Sequence, residues 1–188
     1  MPQMTSAQTT QLRPHLPIAR LAGAACIAML AVDAPPALAT HGPSEATSSM
    51  DVPSASMRVS PEEQAQLSRI NRYRVNHGRS RLTLDRRLAR SANWMSIDMA
   101  RGHYFSHTDS RDRSPFGRIA AAGFPSDTWR GENLAAGNKG AEATFQQWRT
   151  STGHRLNMLN RHYRVVGIAQ VHAEGSDYGW YWTTNFGS

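Results

Sequence analysis

Val165-Val-Gly-Ile-Ala-Gln-Val-His-Ala-Glu-Gly-Ser-Asp-Tyr-Gly-Trp-Tyr-Trp-Thr-Thr-Asn-Phe186 decides the fold class. Residues 165–171 form an apolar run of strand length, and Glu174-Gly-Ser-Asp177 is a turn. In residues 178–186, Trp180, Trp182 and Phe186 fall on one face and Tyr181 and Thr183 on the other. That is the period-two pattern of a strand. The two runs are predicted to pair as an antiparallel hairpin whose aromatic face packs under helices.

Upstream the pattern is helical. Ser60 is a candidate N-cap, Pro61 stands at the first helical position, and Glu63 completes a capping box. Leu67, Ile70, Tyr73 or Arg74, and Val75 recur at near-helical spacing up to Gly78, a natural stop. A helix is predicted over 61–76, with His77 at its C-terminal end. Residues 81–84 read as a short extended link. Asp85 caps a second helix to about Arg101, with Leu88, Ala89, Ala92, Met95, Ser96 and Met99 on one stripe. Its small residues imply close packing, and its methionines read as core. Residues 102–131 read as loop with one short helix within 114–122. On that helix Arg118 reads as exposed; the inward alternative would have it orient a carboxylate. Residues 141–150 are a third helix and 154–159 a further turn. Helices followed by a terminal hairpin make an α+β single domain.

The N-terminus carries an address. Arg13 and Arg20 precede the apolar run 21–32, and Ala37-Leu38-Ala39 is an A-x-A cleavage site. Residues 1–39 therefore read as a secretory signal, giving a secreted, extracellular or periplasmic protein that starts at Thr40. The run is shorter than the roughly 20 residues a spanning helix needs. A lipoprotein signal ending at Cys26 ranks second and a retained anchor third. Cys26 is the only cysteine, so cleavage leaves no disulfide or thiolate chemistry. Residues 40–60 are Ser/Pro-rich and read as a flexible linker. The domain spans 61–188 and is expected to be a monomer without a transmembrane span.

The formal charge is +7, and Lys139 is the only lysine among 21 basic residues. A basic surface favours anionic partners such as cell-wall polymers or acidic lipids. The arginines are scattered, which argues against specific nucleic-acid binding.

Three polar clusters carry the chemistry: 103–107, 131–133 and 151–157. His107, Glu132 and His154 make a set suited to zinc or another divalent ion, with positions left for water. A metal-bound water could attack a carbonyl or phosphoryl group; without metal, a His–Glu pair could serve as base and orienter. The plainer alternative is that these groups hydrogen-bond loops together around a polar cleft. His103 and His107 lack the glutamate of H-E-x-x-H, since Tyr104 stands there. Neither Ser106 nor Ser110 sits in a nucleophile elbow. No nucleotide fingerprint is present.

At these residues the chain resembles the CAP superfamily of cysteine-rich secretory, antigen 5 and pathogenesis-related proteins, and within it the bacterial SCP-like members. The resemblance covers about residues 64–188. It rests on Asn71-Arg-Tyr-Arg74, Leu84-Asp85 with Leu88, Asp98-Met-Ala100, Phe105-Ser-His-Thr108, Gly131-Glu-Asn-Leu-Ala135, Trp148 with Ser151 and Gly153-His-Arg-Leu-Asn157, Gly167-Ile-Ala169, and the run from Trp182 to Gly187. It implies an α–β–α sandwich with a central, mainly antiparallel sheet and a large cleft. In the family two histidines and two glutamates line that cleft and in some members hold a divalent metal. Matched here, they are His107, Glu132 and His154. Ser151 stands where the second glutamate would be, leaving three candidate ligands for zinc, magnesium or calcium. Asn133, Ser151, Asn157 and Arg74 are expected to brace the cleft. The expected function is a binding module for a cell-envelope polymer, lipid or peptide. The alternatives are a metal-assisted peptidase or cell-wall hydrolase, and an anionic-polymer binder.

Overall fold

The structure, a computed structural model, describes residues 59–188. The expected signal segment and nearly all of the linker lie outside the described residues. The elements are α1 (Pro61–Asn76), β1 (Thr83–Leu84), α2 (Arg86–Gly102), α3 (Pro115–Ala121), β2 (Arg130–Ala136), α4 (Ala141–Thr150), α5 (Thr152–Leu159), β3 (Val165–His172) and β4 (Trp180–Gly187). The sheet order is β1-β3-β4-β2. The expected hairpin is β3–β4, running from Val165↔Gly187 to His172↔Trp180. Two strands were not expected. β1 pairs parallel to β3 through only two residues. β2 pairs antiparallel to β4 over its full length, Glu132 facing Asn185, within a region read as loop or left unassigned.

The helix starts follow local chemistry. Ser60 Oγ accepts from Glu63 N at 3.2 Å and Glu63 Oε2 accepts from Ser60 N at 2.7 Å, completing the capping box. Asp85 accepts from the amides of Arg87 and Leu88 to start α2. α4 begins at Gly140 with no cap of its own, and Glu62 of α1 fills the gap by accepting from Ala141 N at 2.7 Å. A carboxylate at a helix N-terminus satisfies an orphan amide and suits the helix dipole.

The sheet lies between two helical layers. On one face Leu67, Ile70, Phe145, Trp148 and Met158 pack against Ala135, Ile168, Trp182 and Phe186. On the other Met95, Met99 and Ala100 of α2 pack against Leu134, Ala136 and Tyr181. The small residues of α2 allow the close packing expected. A Cβ on Gly167 would collide with the backbone of Leu88 and Ala89, so only glycine lets β3 pass α2 at this distance.

β2 is an edge strand, and alternate outer carbonyls are met by side chains of α4, α5 and the segment before β3. Tyr163 Oη donates to Arg130 O at 3.0 Å. Asn157 Nδ2 donates to Glu132 O at 3.1 Å and Trp148 Nε1 to Leu134 O at 2.9 Å. Side chains of α4, α5 and the segment leading into β3 thus cap residues 130, 132 and 134, sealing an edge that would otherwise invite another strand. Gly131 belongs to this seam, since a Cβ there would strike the Tyr163 hydroxyl.

Candidate functional site

Alternation along β2 sends Glu132 to the α2 face, beside its cross-strand neighbour Asn185. There its carboxylate is closely held. His107 Nδ1 lies 2.9 Å from Oε1, and Arg118 Nη2 donates to Oε2 at 2.6 Å. With its amide nitrogen turned toward Glu132, Asn185 also donates to Oε2 at 3.1 Å and accepts from Ser91 Oγ. His107, Arg118 and Glu132 are all buried.

Arg118 corrects the sequence reading. It is fully buried, and the inward alternative is the one observed. It follows Pro115 by three residues and precedes Ile119 and Ala122, all of which are buried. The spacing places it on the inner face of α3. Beyond Glu132, its Nη1 donates to His107 O at 2.9 Å and Arg113 O at 3.2 Å, fixing the loop that carries His107. Asp109 lies 4.0 Å from the same guanidinium and pairs with Arg113 at 2.8 Å. Around Glu132 the buried charges thus come in opposite-sign pairs.

Asp98 of α2 holds the same loop from the other side. It accepts from the Tyr104 hydroxyl, from Ser110 N at 2.9 Å and from Ser110 Oγ at 2.6 Å. Burial pushes its carboxyl up, but the bonds from Ser110 and Tyr104 together prevail and hold it below the usual carboxylate range. Burial, then the bond to Asp98, pushes the Tyr104 hydroxyl up.

His154 is also fully buried, on α5, in the helical layer that holds α1 and α4. Its ring centroid lies 6.2 Å from that of Trp148, and its backbone carbonyl accepts from Asn133 Nδ2 at 3.1 Å. Asn133 follows Glu132 and so faces the opposite way. Asn157 donates to both Glu132 O and Asn133 Oδ1, as a bracing residue would. Ser151 sits at the α4–α5 junction and makes no capping bond through its side chain.

Arg74 braces a different region. It is fully buried and donates to Ser80 O, Met158 O, Asn160 O and Tyr163 O at 2.7–3.2 Å. The bonds tie α1 to the end of α5 and the approach to β3. Burial, with Arg164 and Arg79 nearby, draws its pKa down to about 10, so it stays charged at neutral pH.

The three-residue ligand set is not formed. Among the described residues no three His, Cys, Asp or Glu side chains are placed to hold a metal ion. The donor chemistry of the pair that does meet explains why. A divalent ion on Glu132 would have to share the carboxylate with a guanidinium already 2.6 Å away, and the two cations would repel. The residues present do not fit a metal, because Arg118 already supplies the positive charge. The surface grooves among the described residues include two of about 270 Å³, one lined by Val59, Leu84, Ala89 and Ile168 and one between α1 and α4. Neither is lined by His107, Glu132 or His154, so they do not correspond to the expected cleft.

Comparison with known proteins places this architecture. The uncharacterized protein YkwD of Bacillus subtilis (strain 168) is 32% identical over 148 residues, which are 79% of this chain and 55% of YkwD. The chain therefore spans about half the length of that relative. An outer surface protein of Borrelia burgdorferi superposes with a TM-score of 0.62 at 19% identity, covering 70% of this chain and 96% of that one. An extracellular protein containing an SCP domain from Bacillus anthracis gives 0.55 at 27% identity, covering 70% and 44%. A cysteine-rich secretory protein of Staphylococcus aureus gives 0.52 at 18% identity, covering 66% and 37%. Finally, the model of the cysteine-rich secretory protein family, CAP, matches residues 67–186, and the chain belongs to that family.

Proposed function

We propose that this chain is an exported binding module, acting at the cell envelope on a polymer, lipid or peptide, and that its His107–Glu132 centre works without metal. The single observation that carries this reading is the Arg118–Glu132 bond at 2.6 Å between buried groups. A buried carboxylate whose two oxygens are already occupied by a guanidinium, an amide and an imidazole is poorly placed to reach a substrate proton. It is an equally poor metal ligand for the reason given above. What remains is a rigid polar centre that organises the 103–113 loop. Export is supported by the A-x-A site at Ala39 and by relatives described as extracellular or outer-surface proteins. No helix among the described residues is long and apolar enough to cross a membrane.

The test is sedimentation of residues 40–188 with isolated cell envelopes and with lipid vesicles, beside digestion of peptidoglycan and a peptide library. Binding without turnover, unchanged by a chelator, is the expected outcome. Hydrolysis that disappears in His107→Ala would overturn the reading in favour of a hydrolase.

A further inference from the structure

A second surface, away from the His107–Glu132 centre, has the make-up of an anion site. On α1, Arg69, Arg72 and Tyr73 stand at i, i+3 and i+4; on α4, Glu142, Phe145 and Arg149 stand at i, i+3 and i+7. Each trio shares one helix face. The two faces meet across the groove of about 270 Å³ between α1 and α4. Three guanidiniums and one carboxylate therefore line a single shallow groove.

Their internal bonds leave donors to spare. Arg69 pairs with Glu142 through Nη1 alone, and its buried Nε has no partner. Arg149 uses its Nε on Gln146 Oε1 at 2.8 Å. Arg72 makes no hydrogen bond or ion pair among the described residues, and it is exposed. The floor is apolar: Phe145 is 8% exposed and meets the Tyr73 ring edge-on at 5.6 Å. Like charges gathered over such a floor repel one another, and a bound anion would relieve that repulsion. Guanidinium forks match the paired oxygens of a phosphate group, and each of these arginines has unused N–H donors for it.

We propose that the α1–α4 groove binds a phosphate group, held by Arg72 and Arg149 with Arg69 behind them, and that a sugar or glycerol unit next to it lies on Tyr73. The site is independent of whatever the His107–Glu132 centre takes. The notable feature is the juxtaposition of two helix stripes.

The experiment titrates the mature chain with inorganic phosphate and with poly(glycerol phosphate), following arginine Nε–H resonances by NMR. Saturable shifts of Arg69, Arg72 and Arg149 are expected, weakening as salt is added. Tighter binding of the polymer would mark a polymer source for the phosphate; equal binding would mark a single phosphate group. The Arg72→Gln, Arg149→Gln double variant should lose at least tenfold in affinity. An Arg101→Gln, Arg161→Gln double variant removes the same charge elsewhere on the surface and should bind as wild type does. Equal losses in the two double variants, or no saturable shift, would overturn the proposal and show an adventitious ion only.

Discussion

Arg118 and Arg74 are both without exposed surface, and they solve the same problem in opposite ways. Arg118 is charge-paired: Glu132 sits at 2.6 Å and Asp109 at 4.0 Å. Among the described residues Arg74 meets no carboxylate, and it spreads its charge over four backbone carbonyls. The difference separates a site from a strut. Around Arg118 the partners are side chains whose types carry chemistry. Around Arg74 they are main-chain groups of any sequence, held at the end of α5 and the approach to β3. In a domain whose described residues contain no cysteine, Arg74 joins distant segments as a crosslink would.

The largest effect is expected at the paired arginine. Arg118→Ala should cost about 3–5 kcal/mol in urea unfolding, because Glu132 stays buried without its cation. Replacing the pair together, Arg118→Met with Glu132→Leu, should recover most of that loss, since an apolar pair of similar volume avoids the desolvation. If the double variant is as unstable as the single one, ion pairing is not what distinguishes this region. Arg74→Lys keeps the charge and loses the fork, so a cost of about 2–3 kcal/mol is expected with the His107 loop unchanged. Chemical-shift changes that reach His107 would merge the two regions into one.

The seam between the regions gives smaller effects. Tyr163→Phe removes the donor to Arg130 O and should cost about 1–2 kcal/mol by thermal unfolding. Burial pushes the Tyr163 hydroxyl up to about 12, so the loss should be the same from pH 6 to pH 9. Asp98 supplies the weakest lever. Its folded pKa lies below the ordinary 3.8, so its contribution is present above that value and is lost as the pH falls through the folded pKa. Asp98→Asn should flatten the acid limb of the stability profile below about pH 4, beyond the ordinary carboxylate range. An unchanged acid limb would place the acid sensitivity in groups other than Asp98.

The sequence was most legible where structure follows local rules. The Ser60–Glu63 capping box, the stripe from Leu88 to Met99 and the alternation of Trp180 to Phe186 each announced their element. β2 was opaque because Gly131-Glu-Asn133 is polar yet buried: its side chains are satisfied by Arg118, His107, Asn157 and the carbonyl of His154, none of them local. β1 is too short to leave any pattern. The meeting of His107 with Glu132 was legible from residue type and family resemblance. Arg118 could have been recognised by its spacing from Pro115 and Ile119, an inward face that a charged residue disguised. Position 151 announced the missing carboxylate, but not that a guanidinium from α3 would take up Glu132.

The most direct measurement is calorimetric titration of residues 40–188 with zinc, magnesium and calcium, beside His107→Ala. The Arg118–Glu132 pairing predicts no saturable heat for either protein and a melting temperature unmoved by a chelator. Saturable binding by the wild type that vanishes in His107→Ala would show that a metal displaces Arg118 from Glu132, and would contradict the account at its centre.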